Sequence, residues 1–387
     1  MHTGVQRFLR HEAERFRGQR VGLLCHQASV ADGFRSSADL LFEHGGLRLA
    51  ALFGPQHGIR GEKQDNMVES DSFTDPRHDI PVYSLYGAVR KPTAEMLDGL
   101  DVVLFDLQDV GVRVYTFVWT MTLVMEACRE AGVRFVVLDR PNPIGGILRE
   151  GPVLKPGFES FVGRYPVPLR HGLTAGEIAH LVNEEFGVDC ELEVIPCQGW
   201  RREQWFDETG LPFVPPSPNL PTLDSCTVYP GMVLVEGTNL SEGRGTTRPF
   251  ELVGAPFLQP EQLGRTLDAF NLSGVVFRPC HFEPTYQKHA GEICGGVQLH
   301  VTDRSSFQPV RVAVAVLTAA RKVAPDHFAW RTPPYEYETE KMPIDVLWGG
   351  SGLREMVDAG AGPDDVLSGA AEEIRRFEEL VGPWLEY

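Results

Sequence analysis

The sequence predicts an α/β protein: a doubly wound parallel sheet in an N-terminal domain, followed by a smaller α+β C-terminal domain. Short apolar runs alternate with helix-like stretches through the first half, a Pro-rich segment follows, and the pattern changes beyond it. A chain of 387 residues is also too long for one ordinary core, so we expect two domains.

Five apolar runs in the first half predict strands at 21–25, 47–53, 82–86, 102–105 and 135–138. The stretches between them predict helices at 37–44, 93–97 and 116–131. Nearly continuous apolar strands separated by helices are typical of a parallel sheet covered on both faces. Thr174 and Glu177 form a capping-box pattern that predicts a helix to about residue 186, and a strand is expected at 191–195.

The segment 211–221, LPFVPPSPNLP, contains five prolines and is unsuited to a central strand or a helix interior. We interpret it as a rigid connector and place the domain boundary just beyond it, giving domains 1–228 and 229–387. The C-terminal part predicts strands at 232–235, 275–279 and 296–301. Helices are expected at 260–270, 310–323 and 364–381.

Composition excludes several classes of function. With 36 basic and 53 acidic residues the net charge is -17, which disfavours binding to nucleic acids and to acidic membrane surfaces. No apolar run has membrane-spanning length, and the charged first twenty residues do not resemble a signal peptide. Seven scattered cysteines without a C-x-x-C pair fit a reducing compartment, so we expect a cytoplasmic protein.

Polar residues cluster where the predicted strands end, which is where doubly wound sheets bind ligands. They are His26 and Gln27; Gln56 and His57; the stretch from Asp106 through Asp109 to Arg113; and Asp139, Arg140 and Asn142. The alternative is that a strand-terminal Asp caps a helix or pairs with an Arg.

Nucleotide cofactors are disfavoured, because the turn after the first strand, CHQASVADG, lacks G-x-G-x-x-G and no P-loop is present. His26, His57, His78, Asp106 and Asp109 could meet at one edge of the sheet, but no metal-binding spacing supports them. We therefore expect neither a nucleotide cofactor nor a metal, and keep a metal-dependent hydrolase as a weaker alternative. A serine nucleophile lacks its G-x-S-x-G turn.

A second polar segment covers residues 236–251, EGTNLSEGRGTTRPFE. Its glycines and its donors and acceptors suit the binding of a hydroxyl-rich ligand. The alternative is an interdomain hinge stabilised by a pair between Arg244 and a Glu. The candidate ligand-binding residues here are Glu236, Asn239, Ser241, Glu242 and Arg244.

Five ordered stretches resemble the bacterial exo-acting β-N-acetylmuramidases, a glycoside hydrolase family long known only as a domain of unknown function. They are VGLLCHQASV, FGPQHGIRG, VVLFDLQDVGVRVYTF, VVLDRPNPIGG and VEGTNLSEGRGTTRPFELVGAPF, within residues 21–257. The resemblance implies a Rossmann-like catalytic domain with a smaller domain completing the cleft. It also implies release of N-acetylmuramic acid from the non-reducing end of peptidoglycan fragments, as in cell wall recycling, without a cofactor.

One position departs from the family pattern. Many relatives have P-E-H-G where this chain has Gln56 between Pro55 and His57, and that Glu is the family's plausible acid. A Gln amide cannot protonate a leaving glycosidic oxygen at neutral pH. Either another carboxyl group acts as the acid, or the cleft binds a muropeptide or sugar without the original chemistry.

The sequence-based candidates for the acid are Glu62 and Glu69, with His57 orienting the acid or the substrate. Asp106 or Asp109 could steer water or stabilise the oxocarbenium charge. Arg113, Arg140 and Arg244 could bind the lactyl carboxylate of muramic acid, and Tyr115 or Trp119 could stack on the sugar. The remaining expected substrate contacts are Asp139, Asn142, Glu236, Asn239, Ser241 and Glu242.

Overall fold

A seven-stranded sheet forms the centre of the N-terminal half in the computed structural model, which describes residues 1–387. The strands of the whole chain are β1 (Arg20–Leu24), β2 (Arg48–Gly54), β3 (Phe73–Asp75), β4 (Ile80–Ser84), β5 (Val102–Phe105), β6 (Arg134–Leu138), β7 (Glu150–Val153), β8 (Pro168–Arg170), β9 (Leu192–Ile195), β10 (Leu252–Ala255), β11 (Val275–Phe282) and β12 (Cys294–Val301). The large sheet has the order β3-β4-β2-β1-β5-β6-β9 and is parallel except for the edge pair β3 and β4.

Helices cover the sheet and build much of the C-terminal half. They are α1 (Gly4–Arg7), α2 (Ser37–Glu43), α3 (Ala94–Leu97), α4 (Phe117–Ala131), α5 (Ala175–Glu184), α6 (Leu223–Met232), α7 (Pro260–Asp268), α8 (Pro309–Val323), α9 (Pro343–Trp348), α10 (Gly352–Asp358), α11 (Pro363–Val366) and α12 (Ala370–Val381). None of them combines the length and apolar composition needed to cross a membrane.

The predicted fold class is confirmed, and the reason is visible in the sheet. Side chains of both faces are buried: Phe105 and Phe135 belong to the larger core, whereas Leu23 and Leu104 belong to a smaller core on the opposite face. Strands buried on both faces carry the near-continuous apolar runs that predicted them. The capping box of Thr174 and Glu177 is present at the start of α5.

Two expectations for the C-terminal part are wrong. Residues 232–235 are not a strand, because α6 runs to Met232 and a short 3-10 helix, Val233–Gly237, continues it. This apolar run is buried all around, and periodicity alone does not separate a buried helix from a strand. The predicted helix 364–381 is two helices, α11 and α12.

The C-terminal part contains an antiparallel sheet of order β10-β12-β11, and its α8 packs against α6. The boundary predicted between residues 228 and 229 falls inside α6 and stays a prediction. The turn at residues 335–338 contacts Gln56 and Tyr86, just beyond the carboxyl ends of β2 and β4, and the 3-10 helix Val233–Gly237 contacts Asn66 in the loop that follows β2. That junction positions the candidate site.

Candidate active site

A cavity of about 30 Å³ lies at the carboxyl ends of the parallel strands, between the two halves of the chain. Its lining includes Gln56, His57, Tyr115, Glu236, Arg244 and Glu336. A single water needs roughly 10–15 Å³ of such space. The cavity therefore has room for one or two waters, which is less than a sugar ring needs.

Gln56 is the second residue after β2, and both the oxygen and the nitrogen of its side-chain amide form hydrogen bonds. Its Oε1 accepts a hydrogen bond of 2.8 Å from the Thr116 hydroxyl, at the start of α4. Its Nε2 donates to Oε1 of Glu336 at 3.1 Å. Gln56 is thus in direct contact with a buried carboxyl group, that of Glu336, from the other half of the chain.

Glu336 enters the cavity from a two-residue hairpin turn. The backbones of Tyr335 and Glu338 exchange hydrogen bonds of 2.9 Å, and the central residues Glu336 and Tyr337 have φ of 44° and 69°. Two positive φ values define a type I′ turn, which Asn and Gly normally occupy. The second oxygen of Glu336 accepts a hydrogen bond of 2.8 Å from the Tyr86 hydroxyl.

Burial is the largest influence on Glu336 and raises its pKa to about 7, a shift to which the nearby Glu236 also contributes. The hydrogen bonds from Tyr86 and Gln56 and the charge of Arg244 act in the opposite direction. No Lys, Arg or His forms an ion pair with this carboxyl group. A carboxyl group titrating near neutral pH can supply a proton to a reaction.

Glu236, by contrast, is paired with a cation. Its Oε1 accepts a hydrogen bond of 2.6 Å from Nη2 of Arg244, and its Oε2 accepts one of 2.8 Å from the Tyr335 hydroxyl. Asn66 adds a third donor at 3.2 Å. Burial raises the pKa of Glu236, and the Arg244 guanidinium opposes that rise.

Glu242 lies behind this pair, 2.7 Å from the Lys288 ammonium and 3.3 Å from Nε of Arg244. Burial alone would raise its pKa, but Lys288 and Arg244 hold the pKa below its ordinary value. Nη1 of Arg244 is buried without a hydrogen-bond partner. Both N–H donors of Nη1 are therefore free for a ligand.

His57 lines the cavity as a neutral ring. Burial lowers its pKa to about 4, although a hydrogen bond to the Lys63 carbonyl opposes the shift. Nδ1 lies 2.8 Å from that carbonyl oxygen, so Nδ1 carries the proton and Nε2, 3.1 Å from the Ser217 hydroxyl, accepts. His57 fixes the loop rather than supplying a proton.

Asp106 and Arg140 are not at the cavity. Nε and Nη2 of Arg140 donate to the two oxygens of Asp106 at 2.7 and 2.9 Å, which is the strand-end pairing named above as the alternative. Asp109 accepts a hydrogen bond of 2.7 Å from the Gly111 amide and lies 3.4 Å from His171. The expectation that either Asp would serve the reacting sugar is not supported by these positions.

Arg113 is fully buried and donates to four backbone carbonyl groups instead of facing a ligand. Nη1 contacts Pro152 and Val167 at 2.8 and 3.0 Å, and Nη2 contacts Leu347 and Trp348 at 3.0 and 2.8 Å. The expectation that it would bind the lactyl carboxylate is corrected, because these bonds occupy the side chain.

The other expected substrate contacts also serve the fold. Asp139 accepts hydrogen bonds from the Gly176 amide and the Tyr387 hydroxyl, and burial raises its pKa to about 6. Asn142 bridges the backbone of Ile144 and Leu173, and Asn239 that of His327 and Ala329. Ser241 accepts from the Gly243 amide, and Trp119 donates to the Arg113 carbonyl within the core.

Glu62 and Glu69 are exposed and do not line the cavity. Glu69 lies 3.6 Å from Arg90 and accepts a hydrogen bond of 3.2 Å from the Tyr337 hydroxyl, on the outer side of the same turn. Their exposed positions outside the cavity do not support the sequence-based choice of these two as the acid.

A larger cavity, about 310 Å³, lies elsewhere, beside the N-terminus, with Gln6, Gln108, Arg140 and Phe206 in its lining. Its volume would favour it over the cavity lined by Gln56. Its guanidinium, that of Arg140, already pairs with Asp106, however, and the one carboxyl group in its lining, Asp32, is exposed. We therefore assign the chemistry to the smaller cavity.

The structure brings together Gln56, His57, Tyr115, Glu236 and Arg244 from the sequence-based set, with Glu242 adjacent. It adds Glu336, Tyr335, Tyr86, Thr116 and Asn66, which sequence reasoning missed. Tyr86 follows the end of β4, so the strand-end rule that selected Gln56 could have found it. The only signal for Glu336 was the unusual run PPYEYE at 333–338.

Two family models match nearly the whole chain. Exo-beta-N-acetylmuramidase NamZ, N-terminal, matches residues 21–224, and Exo-beta-N-acetylmuramidase NamZ, C-terminal, matches residues 227–387. A relative from Bacillus subtilis, peptidoglycan beta-N-acetylmuramidase NamZ, is 44% identical over 385 residues, which covers 100% of this chain and 91% of the relative.

Two solved structures, both of DUF1343 family proteins from Bacteroides fragilis, are similar along the whole chain. One has a TM-score of 0.89 at 32% identity, and the other a TM-score of 0.78 at 27% identity. Each alignment covers 100% of this chain and 98% of the solved one.

Proposed function

The chain belongs to the exo-β-N-acetylmuramidase NamZ family, and from that premise we propose that its substrate binds in the cavity between the two halves of the chain. The protein is a glycosidase that releases N-acetylmuramic acid from the non-reducing end of peptidoglycan-derived fragments. The observation that carries the location is that Glu236 and Glu336 are buried at one cavity, because glycoside hydrolysis uses a pair of carboxyl groups.

Within this site we assign the lactyl carboxylate of muramic acid to Arg244. Its buried Nη1 is without a partner, and a guanidinium binds carboxylates through well-oriented donors. The ring of Tyr115 lines the same cavity and offers an apolar face for the sugar, while its hydroxyl is held by the Pro216 carbonyl at 2.9 Å. The preferred substrate is a muropeptide or a disaccharide that begins with N-acetylmuramic acid.

Because the cavity is smaller than a sugar ring, we propose that it widens when the substrate binds. The turn at 335–338 supplies Tyr335 and Glu336 to the lining, so displacement of this turn would enlarge the cavity most directly. Loop closure over a bound substrate excludes water from the reaction and completes the set of catalytic groups.

The test is hydrolysis of N-acetylmuramyl-N-acetylglucosamine, followed by NMR of the released sugars, with the Arg244→Lys variant beside the wild type. A hydrogen bond to a charged group contributes about 1.5–3 kcal/mol, and lysine lacks the Nη1 donor that would make it. We expect the preference for an N-acetylmuramide over the matching N-acetylglucosaminide, which lacks the lactyl group, to fall by about 10- to 100-fold. The matched control is Arg248→Lys, a half-exposed arginine of the same segment.

Other outcomes would select the alternatives. Binding of the disaccharide in calorimetry without turnover over hours would identify a sugar-binding protein, the possibility that Gln56 leaves open. Loss of turnover after chelation, restored by a divalent metal, would identify a metal-dependent hydrolase. An unchanged substrate preference in Arg244→Lys would refute the role of Arg244 alone.

We also propose a cytoplasmic location for this enzyme. The support is that its seven cysteines are all free thiols, which persist in a reducing compartment. Fractionation of producing cells with an antibody to the protein tests this, and recovery outside the cytoplasm would contradict it.

A further inference from the structure

We infer that Glu336 is the general acid of the reaction, the group that protonates the leaving glycosidic oxygen, in place of a carboxyl group at position 56. This inference rests on the proposed function. Two carboxyl groups line the cavity, Glu236 and Glu336, and Gln56, which contacts Glu336, cannot donate the proton.

The balance of buried charges separates the roles of these carboxyl groups. Arg244 and Lys288 provide two positive charges, and they pair with Glu236 and Glu242. Glu336 remains without a cation, and an unpaired buried carboxylate is strongly disfavoured. Glu336 is therefore the group that retains its proton, whereas Glu236, beside a guanidinium, is ionised.

The surroundings of Glu336 hold the acid in position. From the N-terminal half, Gln56 and Tyr86 contact one oxygen each, and Met67 accepts a hydrogen bond from the Glu336 backbone amide. From the C-terminal half, Glu236 and Arg244 are the charged groups that face it. The burial of this whole set outweighs the two hydrogen bonds and raises the pKa of Glu336 to about 7.

The turn that carries Glu336 supports the same conclusion. A positive φ is unfavourable for a non-glycine residue, and this turn has two such residues in succession. Strain of this kind clusters at functional sites, where the surrounding structure maintains it. Here the turn buries Glu336 while Tyr337 packs outside, beneath the Arg90 guanidinium at 3.1 Å.

The chemistry balances with these two groups. The proton on Glu336 moves to the glycosidic oxygen, the bond from that oxygen to the anomeric carbon breaks, and its electron pair stays on the leaving sugar. The carboxylate of Glu236 stabilises the positive charge on the anomeric carbon. Water then adds to that carbon and releases a proton. This proton returns the pair to its starting state, with Glu336 protonated and Glu236 ionised.

Leaving-group dependence tests the role directly. Glu336→Gln should lower kcat/KM on the natural disaccharide by about 10²- to 10⁴-fold, the usual contribution of a general acid. It should lower kcat/KM on 4-nitrophenyl N-acetylmuramide by less than about tenfold, because nitrophenolate departs without a proton. The matched control is Glu340→Gln, an exposed glutamate close to the same turn, which should leave both rates unchanged.

The pH profile and a double variant give independent readouts. Wild-type kcat/KM on the disaccharide should fall as pH rises above about 7, where Glu336 loses its proton, and this alkaline limb should be absent from Glu336→Gln. Gln56→Glu combined with Glu336→Gln returns a carboxyl group to the same hydrogen-bonded pair. The kcat/KM of this double variant on the disaccharide should be at least about tenfold higher than that of Glu336→Gln alone.

Equal losses on both substrates, no loss, or a folded double variant no faster than Glu336→Gln would overturn the inference. The proposed function would stand in each of those cases, provided that the wild type releases N-acetylmuramic acid. If the wild type releases it from neither substrate, the proposed function itself fails.

Discussion

Replacing Arg113 by Met tests whether this arginine holds the fold together or binds the substrate. The guanidinium donates to carbonyl groups at Pro152 and Val167 on one side and at Leu347 and Trp348 on the other. It therefore joins a segment of the N-terminal half to the end of α9. Burial lowers its pKa to about 9, so the side chain is still protonated at pH 7.

The expected magnitude follows from the hydrogen bonds. Each contributes about 1 kcal/mol net, and methionine keeps most of the apolar packing of the side chain, so the four together predict a loss of about 4 kcal/mol. The stability of a natural protein is about 5–15 kcal/mol, so this would be a large fraction of the total. Water filling the vacated space would hydrogen-bond some of the carbonyl groups and reduce the loss.

The assay is urea unfolding followed by fluorescence, with kinetics measured under conditions where the variant remains folded. Arg376→Met, at an exposed arginine of α12, is the control and should change stability by less than about 0.5 kcal/mol. Arg113→Lys should lie between the wild type and Arg113→Met, because one ammonium cannot reach four carbonyl groups. The structural role would be refuted if Arg113→Met kept the unfolding midpoint of the wild type while its KM for muramides rose more than about tenfold.

Three further predictions concern other charged groups. Asp139 has a pKa of about 6 in the folded protein and about 4 in the unfolded chain. Its contribution to stability is therefore favourable at low pH and is lost as pH rises from about 4 to 6. In urea titrations, the difference in unfolding free energy between Asp139→Asn and the wild type should shift by about 3 kcal/mol over that range. Lys288→Met leaves the Glu242 carboxylate buried without the Lys288 ammonium and should lower the free energy of unfolding in urea by about 3–5 kcal/mol. Adding Glu242→Gln to the same chain should restore most of this loss. If the losses of the two single variants simply add in the double variant, the pairing is contradicted. Glu62→Gln and Glu69→Gln should keep kcat/KM on the disaccharide within about twofold of the wild type. A hundredfold loss in either variant would identify that exposed glutamate, rather than Glu336, as the acid.

Local patterns predicted six of the seven strands of the N-terminal sheet and missed the short edge strand β3. The apolar runs of the sheet are buried on both faces, and helix signals such as the capping box at Thr174 depend on neighbours three or four positions away. The same reasoning failed at 232–235, because a short apolar run has the same composition in a buried helix as in a buried strand. Strand ends selected Gln56 and His57, which line the cavity, but also selected Asp106, Asp139 and Arg140, whose polar groups satisfy one another or the backbone.

The sequence by itself determined the α/β class, the likeness to the exo-acting muramidases and the absence of an acid at position 56. Only the tertiary structure decided which polar groups face the cavity and which of them are neutralised. Gln56 and Glu336 are 280 positions apart, so no local pattern marks their contact. The protonation of a buried carboxyl group depends on the cations that the fold pairs with it, and the fold places Arg244 in an ion pair with Glu236 but no cation in an ion pair with Glu336.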